Sequence, residues 1–407
     1  RTLSPINDVI WLKHRNRYRI SGVSCLDYMA LYKNFTYSQE SSYSLEAISQ
    51  KELGKGKMKY EGTLDDLMKN DIQGYIDYNM NDDYGKMGIS ALRYLDNEIL
   101  CVVDSVFAGK DISEVSIIKK KIPILETVEK AKSIGANVLL LGVLTSGGVR
   151  PKSWDPVIKD ALEKGMSIIN GLHDQISPDF TKYIVNQNQW IWDTRVPKFI
   201  PKIGSAKAAK LNNKRVLMIG TDMAAGKMTA GLELYSYLKD KKINTGFVAT
   251  GQVGITVTGK GIPLDAYKLD HACGAVETAV LEQKEKDIVI VEGQGSILHP
   301  GSTATLPLMR GTCPTHMILC HIAGNNSLRS LENIKIPDLK KFIDLNENLA
   351  SVLGTYPKAK VVGVALNTTL MSDEDAKNYI EIIEKETGVP STDVIRFGGD
   401  RIFSQLL

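Results

Sequence analysis

The segment RVLMIGTDMAAGKMTAGLELYSYL, residues 215–238, constrains this chain more than any other. An apolar, β-branched stretch runs to Gly220, and apolar residues at helical spacing resume near Lys227. This predicts a strand, a loop from Gly220 to Thr229 and a helix. Glycines at 220 and 226 permit backbone conformations that other residues avoid. Successive N–H groups can then turn inward as an anion nest, with the positive end of the helix dipole aimed at the same point. Lys227 adds a full charge. The common phosphate loop has four residues between its glycines and Ser or Thr directly after the lysine. Here five residues intervene, Met228 follows Lys227, and Thr229 comes one place later. Two readings stay open: Thr229 supplies the hydroxyl that a magnesium ion expects, or the site holds no tight metal. An ordinary strand-to-helix turn would explain the loop alone, but not the agreement of strand, glycines, lysine and helix.

Three more strands end in polar residues. DIVIVEGQGS (287–296) ends in Glu292 and Gly293, NTGFVATGQVGI ends at Thr250, Gly251 and Gln252, and AKVVGVALNT ends at Asn367. Ligands of open parallel sheets sit outside the carboxyl ends of the strands, so these loops are expected to share one crevice with the phosphate loop. Glu292 can take a proton, orient water or meet a metal. The amide of Asn367 can both donate and accept.

Earlier, from Asn97 to Asp193, short apolar strands alternate with helical stretches. ANVLLLGVL (136–144) reads as a buried strand, and a helix spans 155–164. That rhythm predicts a parallel sheet covered on both faces. Residues 195–214 are basic and hold Pro197, Pro201 and Gly204, a linker between two α/β domains. Residues 1–84 hold nine of the sixteen tyrosines and lack the rhythm, so a boundary is placed near Tyr84. Apolar residues make up 43% and charged residues 24%, the composition of a globular protein, and a net charge of +3 is too small to imply nucleic-acid binding. No apolar run reaches membrane-spanning length, and the first residues lack a signal peptide's core. Five scattered cysteines without a CxxC pair fit reduced thiols in a cytoplasm. Cys313, His316, Cys320 and His321 suggest a metal only in sequence; THMILCH reads as a strand, and no metal ligand set is assigned.

The phrases GKMGISALRY (85–94), VVDSVFAGKD (102–111), GLHD (171–174), GTDMAAGKMTAGLEL (220–234), FVATGQVGI (247–255), VEGQGSILHP (291–300), LCH (319–321), GVALNT (363–368) and VIRFGGD (394–400) together resemble the DUF1611 family, which is similar to D-glutamate N-acetyltransferases. The resemblance implies an α/β protein: a Rossmann-like domain over 84–200, then a P-loop, three-layer α/β/α domain akin to dethiobiotin synthetase over 201–407, with mostly parallel sheets. It also implies acetyl transfer from acetyl-CoA to the amino group of an acidic D-amino acid. Gly220, Thr221, Asp222, Ala225, Gly226, Lys227, Met228 and Thr229 would then cradle the pyrophosphate, with Gln252 and Asn367 beside them. Transfer needs the amine deprotonated, the thioester oxygen stabilised and the substrate carboxylates paired. Glu292 or His173 is the candidate base. Arg150 and Arg396, in loops near glycines, are candidate carboxylate clamps, and His299 a further lining residue. For each, a structural or solvated role is the alternative. The family normally begins with a strand before its GK-containing helix. Here different residues precede that helix, so a sheet edge is expected to lack its partner.

Residues 20–67 and YIDYNMND (75–82) resemble the exonuclease domain of phage-type family B DNA polymerases, an α+β piece. The resemblance implies that Tyr78 and Asp82 match part of its third motif. Its upstream acidic motifs are missing, and one Asp cannot hold two metal ions, so no nuclease activity is expected from residues 1–83. Other readings are an ATP- and Mg2+-dependent ligase or kinase, and a non-catalytic nucleotide-binding protein. Met228 counts mildly against the first. A homo-oligomer is expected by analogy with two-domain α/β enzymes.

Overall fold

The computed structural model describes residues 85–407, apart from residues 117, 144, 146, 147 and 330, together with two short strands near the start. The chain divides into two compact units, Arg1–Tyr75 and Ile76–Leu407. In the first, β1 (Val9–Leu12) and β2 (Arg17–Ile20) form an antiparallel pair with Val9 opposite Ile20. Apart from Ile20, the exonuclease-like residues, Tyr78 and Asp82 included, lie outside the described residues.

The second unit opens with α1 (Lys86–Tyr94), followed by β3 (Val102–Val103), α2 (Ile112–Val115), β4 (Ile124–Leu125), α3 (Val128–Ser133), β5 (Val138–Leu140), α4 (Asp155–Glu163), β6 (Ser167–Asn170), α5 (Ser177–Phe180) and β7 (Ile191–Asp193). Helix starts follow local chemistry: Asp111 and Glu114 form a capping box on α2, and the Thr127 hydroxyl caps α3. The strands pair in parallel, as the rhythm predicts, but in two pieces, β3 with β4 and β5–β6–β7 in order. Among the described residues no ladder joins β3 to β5.

α1 spans both pieces. The Gly88 N–H donates to the Gly142 carbonyl just past β5 at 2.8 Å, while Leu92 packs with Ile112, Ile122 and Ile124 on the β3–β4 side. The apolar cores of the two pieces are separate clusters. ANVLLLGVL is therefore less covered than a buried strand should be: Val138 and Val143 are exposed. A parallel strand reaches full burial only with neighbours on both sides and cover on both faces, and β5 has its ladder partner on one side.

Residues 195–214 do not run free between the domains. The Glu277 carboxylate accepts from Ser205 N–H and hydroxyl at 3.0 Å and from Lys207 N–H at 2.5 Å. The segment also passes so close that a Cβ on Gly274 would strike the Lys202 carbonyl at 1.6 Å.

The second domain holds β8 (Lys214–Gly220), α6 (Lys227–Asp240), β9 (Thr245–Val248), α7 (Gln252–Thr258), α8 (Leu269–Leu281), β10 (Ile288–Val291), α9 (Thr305–Thr312), β11 (His316–Ile322), the hairpin β12 (Ser327–Leu328) and β13 (Leu331–Lys335), α10 (Leu339–Ser351), β14 (Lys360–Asn367), α11 (Asp373–Thr387), β15 (Ser391–Thr392) and α12 (Asp400–Phe403). Six strands form one parallel sheet in the order β15-β14-β11-β8-β10-β9. Side chains alternate across it. Val216 and Met218 join a core with Leu234 and Leu238 of α6, while Leu217 and Ile219 join one with Val276, Leu308 and Phe342. Both faces are thus covered by helices, giving the three layers. The chain order jumps from β8 to the far side of β10 and back to β11, so the switch point lies at the carboxyl end of β8, where the phosphate loop begins.

Candidate functional site

The loop between β8 and α6 is held from several sides. Ala224 and Gly226 take left-handed backbone conformations, with φ of +55° and +100°. The Thr221 N–H donates to the Cys320 carbonyl at 3.1 Å, and its own carbonyl accepts from the Ser296 hydroxyl at 2.9 Å. The Asp222 carboxylate is buried and accepts from the Met223 and Arg329 N–H groups, each at 2.6 Å. Asp222 therefore ties the loop to the β12–β13 hairpin. Ala225 and Met228 face the apolar core with Met218 and Val253, and Thr229 is half-buried.

Lys227, the first residue of α6, folds back across the loop and donates to the Asp222 carbonyl at 2.7 Å. Burial pulls its ammonium down to about 8, and the nearby Lys86 adds to that, while Cys320, Asp222 and Glu292 oppose it. Two glycines make this placement possible. A Cβ on Gly220 would come within 2.9 Å of the Lys227 Nζ, and one on Gly293 would strike the Met218 carbonyl at 1.7 Å. A small cleft beside the loop is lined by Gly220, Lys227, Gln294, Gly295 and Thr305. A larger groove, lined by Tyr235, Lys239, Lys260 and Lys286, includes Thr245 at the opposite, amino end of β9 and so stands apart from this chemistry.

Glu292 follows β10 and is almost completely buried. One carboxylate oxygen accepts from the Thr250 N–H at 2.8 Å and the Gly251 N–H at 3.1 Å, at the amino end of α7. Burial pushes its pKa up to about 7; the two N–H donors and the charges of Lys86 and Lys227 hold it back from rising further. A buried carboxyl poised near neutrality beside a buried ammonium is the pattern expected where protons are moved. Gln252, the first residue of α7, packs against Gly171 of the N-terminal domain, whose absent side chain also makes room for the Met87 sulfur. Asn367 ends β14 and spends its amide oxygen on Thr369, accepting from the N–H at 3.1 Å and the hydroxyl at 2.7 Å.

The remaining candidates stand on their own loops. His173 is exposed after β6, its ring lying over Gly148, where a Cβ would come within 2.2 Å of it. Arg150 pairs with Asp155 and, at 3.4 Å, with Asp179, and its guanidinium lies 4.8 Å from the Phe180 ring centroid. All these partners belong to its own domain. Arg396 braces the turn after β14, donating to the Met371 carbonyl at 3.0 Å and pairing with Asp373 at 3.4 Å. His299 is half-buried, its Nδ1 accepting from the Gly301 N–H at 3.1 Å.

Two residues stand at the site without having been assigned a role there from sequence. His321, in β11, is buried and lies with Nδ1 3.0 Å from the Thr221 hydroxyl and Nε2 3.3 Å from the Tyr379 hydroxyl. Burial lowers its pKa to about 4, so the ring is neutral and fixes the first hydroxyl of the loop. Its place near the end of a central strand was the available signal. The second is Lys86, at the start of α1, close enough in charge to affect both Lys227 and Glu292. Cys313 and Cys320, which look like neighbours in sequence, belong to the cores on opposite faces of the sheet.

Comparison with known proteins follows the same division. Residues 105–197 match the DUF1611_N Rossmann-like domain, and residues 202–403 match the DUF1611_C P-loop domain, both described as domains of unknown function. The chain belongs to the DUF1611 family. A DUF1611 protein from Anabaena variabilis, solved by crystallography, is 41% identical, covers 80% of this chain and 95% of its own, and superposes with a TM-score of 0.75. Proteins named D-glutamate N-acetyltransferase from a Pseudoalteromonas species and from Tritonibacter scottomollicae are each 34% identical, over 280 and 283 residues. These matches cover 68% and 69% of this chain and 83% and 84% of the relatives. A separate stretch of 76 residues is 45% identical to the DNA-directed DNA polymerase of Escherichia phage RB69, covering 19% of this chain and 8% of that protein. In this DUF1611 chain the phosphate loop, Lys227 and Glu292 all lie in the P-loop domain, whereas Lys86 and His173 come from the segment before it. Among the described residues no helix is long and apolar enough to cross a membrane.

Proposed function

We propose that this chain transfers an acetyl group from acetyl-CoA to the amino group of D-glutamate or a similar acidic D-amino acid. The observation that carries the reading is the pairing of a phosphate-binding loop and its buried Lys227 with a buried Glu292 poised near neutrality. The residues suit the cosubstrate. Lys227 and the unpaired N–H groups at the start of α6 meet pyrophosphate oxygens. Met228 is packed in the core where a magnesium-binding hydroxyl would otherwise stand. The relatives named D-glutamate N-acetyltransferase support the choice of reaction.

In this mechanism the substrate enters as an ammonium and loses a proton to ionised Glu292. The amine nitrogen attacks the thioester carbonyl, forming the C–N bond. As the tetrahedral oxyanion collapses, the C–S bond breaks and the thiolate of coenzyme A departs. The proton shed by the nitrogen then neutralises that thiolate or leaves to solvent. N–H groups of the loop or a lysine ammonium offset the oxyanion charge. The loop's likeness to dethiobiotin synthetase, with Thr229 one place beyond Met228, favours ATP with Mg2+ as the second reading.

Incubating the full chain with acetyl-CoA and D- or L-glutamate, alongside ATP with Mg2+, separates the two. Acetyl transfer gives N-acetylglutamate and one equivalent of free thiol. Phosphate release from ATP without acetylated product would overturn it.

A further inference from the structure

Two ammonium groups and two carboxylates meet at the site, but not all of them have a direct partner. Lys227 and Lys86 both act on the buried Glu292, and Lys227 also donates to the Asp222 carbonyl at 2.7 Å, while the Asp222 carboxylate accepts from two N–H groups. The candidate arginines, and Arg195 with them, are committed. Arg150 is held by Asp155 and Asp179, Arg396 by Asp373 and the Met371 carbonyl, and Arg195 by Asp265 and the Gly171 carbonyl. Lys86 is half-buried, and its ammonium has no hydrogen-bond or ion-pair partner among the described residues.

Its position is fixed by its neighbours. Met87, the next residue, is buried in the core shared with Met218, Met228 and Val253, its sulfur filling the space over Gly171. Gly88 is bonded to Gly142. The first turn of α1 is thus wedged against the amino end of α7, where Gly251 caps Glu292, and α1 packs along α7. A lysine at this point is brought to the P-loop domain by the N-terminal domain.

We propose that Lys86 is the cation that receives a carboxylate of the amino-acid substrate, presented from α1 rather than from the phosphate loop. This rests on the acetyl-transfer reading. An oxyanion could also come from acetyl-CoA, but Lys227 and the loop N–H groups already serve phosphate. Lys86 approaches on a different element, beside the group assigned to the amine. Both domains then complete the site, and the preference for an acidic amino acid resides in α1.

The test uses the full chain with Lys86→Met and Lys86→Arg. A hydrogen bond to a charged partner is worth about 1.5–3 kcal/mol, which is about a 10- to 150-fold change. Lys86→Met should raise the KM for D-glutamate by that factor, leave the Kd for acetyl-CoA within about twofold, and abolish the preference for D-glutamate over D-glutamine. Lys86→Arg should restore most of the preference. A loss of acetyl-CoA affinity with unchanged glutamate KM would overturn the proposal and assign Lys86 to the cofactor. Should the wild-type chain acetylate no amino acid, the acetyl-transfer reading fails by itself. Calorimetric binding of D-glutamate then decides this one: binding weakened by Lys86→Met upholds it, and equal or absent binding overturns it.

Discussion

Lys227 Nζ lies 2.7 Å from the carbonyl oxygen of Asp222, so the ammonium folds back over the loop that carries it. An arriving pyrophosphate takes the place of that carbonyl as the partner of the charge. Its pKa, about 8, stands below that of a lysine in the unfolded chain, about 10.4. Deprotonation as pH rises through 8 therefore removes the charge the ligand needs, while a bound anion favours its return. Acetyl-CoA affinity should fall above pH 8, by up to about tenfold per pH unit, as for uptake of one proton. Lys227→Ala should lose cofactor binding and with it this pH dependence; titration calorimetry from pH 7 to 9.5 reads both. Undiminished affinity in the variant would remove Lys227 from the phosphate site.

Glu292 gives a second pH signature, of opposite sense. Its folded pKa, about 7, lies above the unfolded value of about 4.3. The folded state holds the extra proton between these values, so stability contributed by this group is present below about 4.3 and is lost as pH rises through 7. As a base it acts only when ionised, so kcat/KM should rise with pH to a plateau above 7. Glu292→Gln keeps acceptors for the Thr250 and Gly251 N–H groups. It should lower kcat by about 100-fold or more, the usual weight of general-base catalysis, while flattening the stability profile between pH 4 and 7. A variant with full activity would assign the proton transfer elsewhere.

What could be read from residues alone was the part governed by local rules. The loop from Gly220 to Thr229, the apolar strands ending at Glu292 and Asn367, and the helix 155–164 each carry their own spacing or turn chemistry, and each is in place. Parallel order places the carboxyl ends of these strands at one edge of the sheet. What stayed hidden depends on distant partners. Nothing in the sequence near Arg150 announces that Asp155 and Asp179 surround it, because one of those carboxylates arrives from another helix. Glu277 clamping a proline-containing linker, His321 meeting Thr221 and Lys86 reaching the P-loop domain are likewise products of tertiary packing. The half-covered β5 is the same lesson in reverse: an apolar run predicts a buried strand only if its neighbours are present.

Met228 bears on how the site treats metal. Its side chain is packed with Ala225, Met218 and Val253 and contributes to the core. Truncation to Ala leaves a cavity, with a cost of about 2–5 kcal/mol in the general range for buried methionine. The lower end is expected here, because the residue sits at the edge of the loop. Met228→Ala should therefore lower the thermal midpoint. Thr229→Val, which removes the hydroxyl one place beyond Met228, should leave acetyl-CoA affinity within about twofold, with or without Mg2+, since pyrophosphate is met by N–H groups and Lys227. A Mg2+-dependent gain in affinity that Thr229→Val abolishes would return the site to ATP.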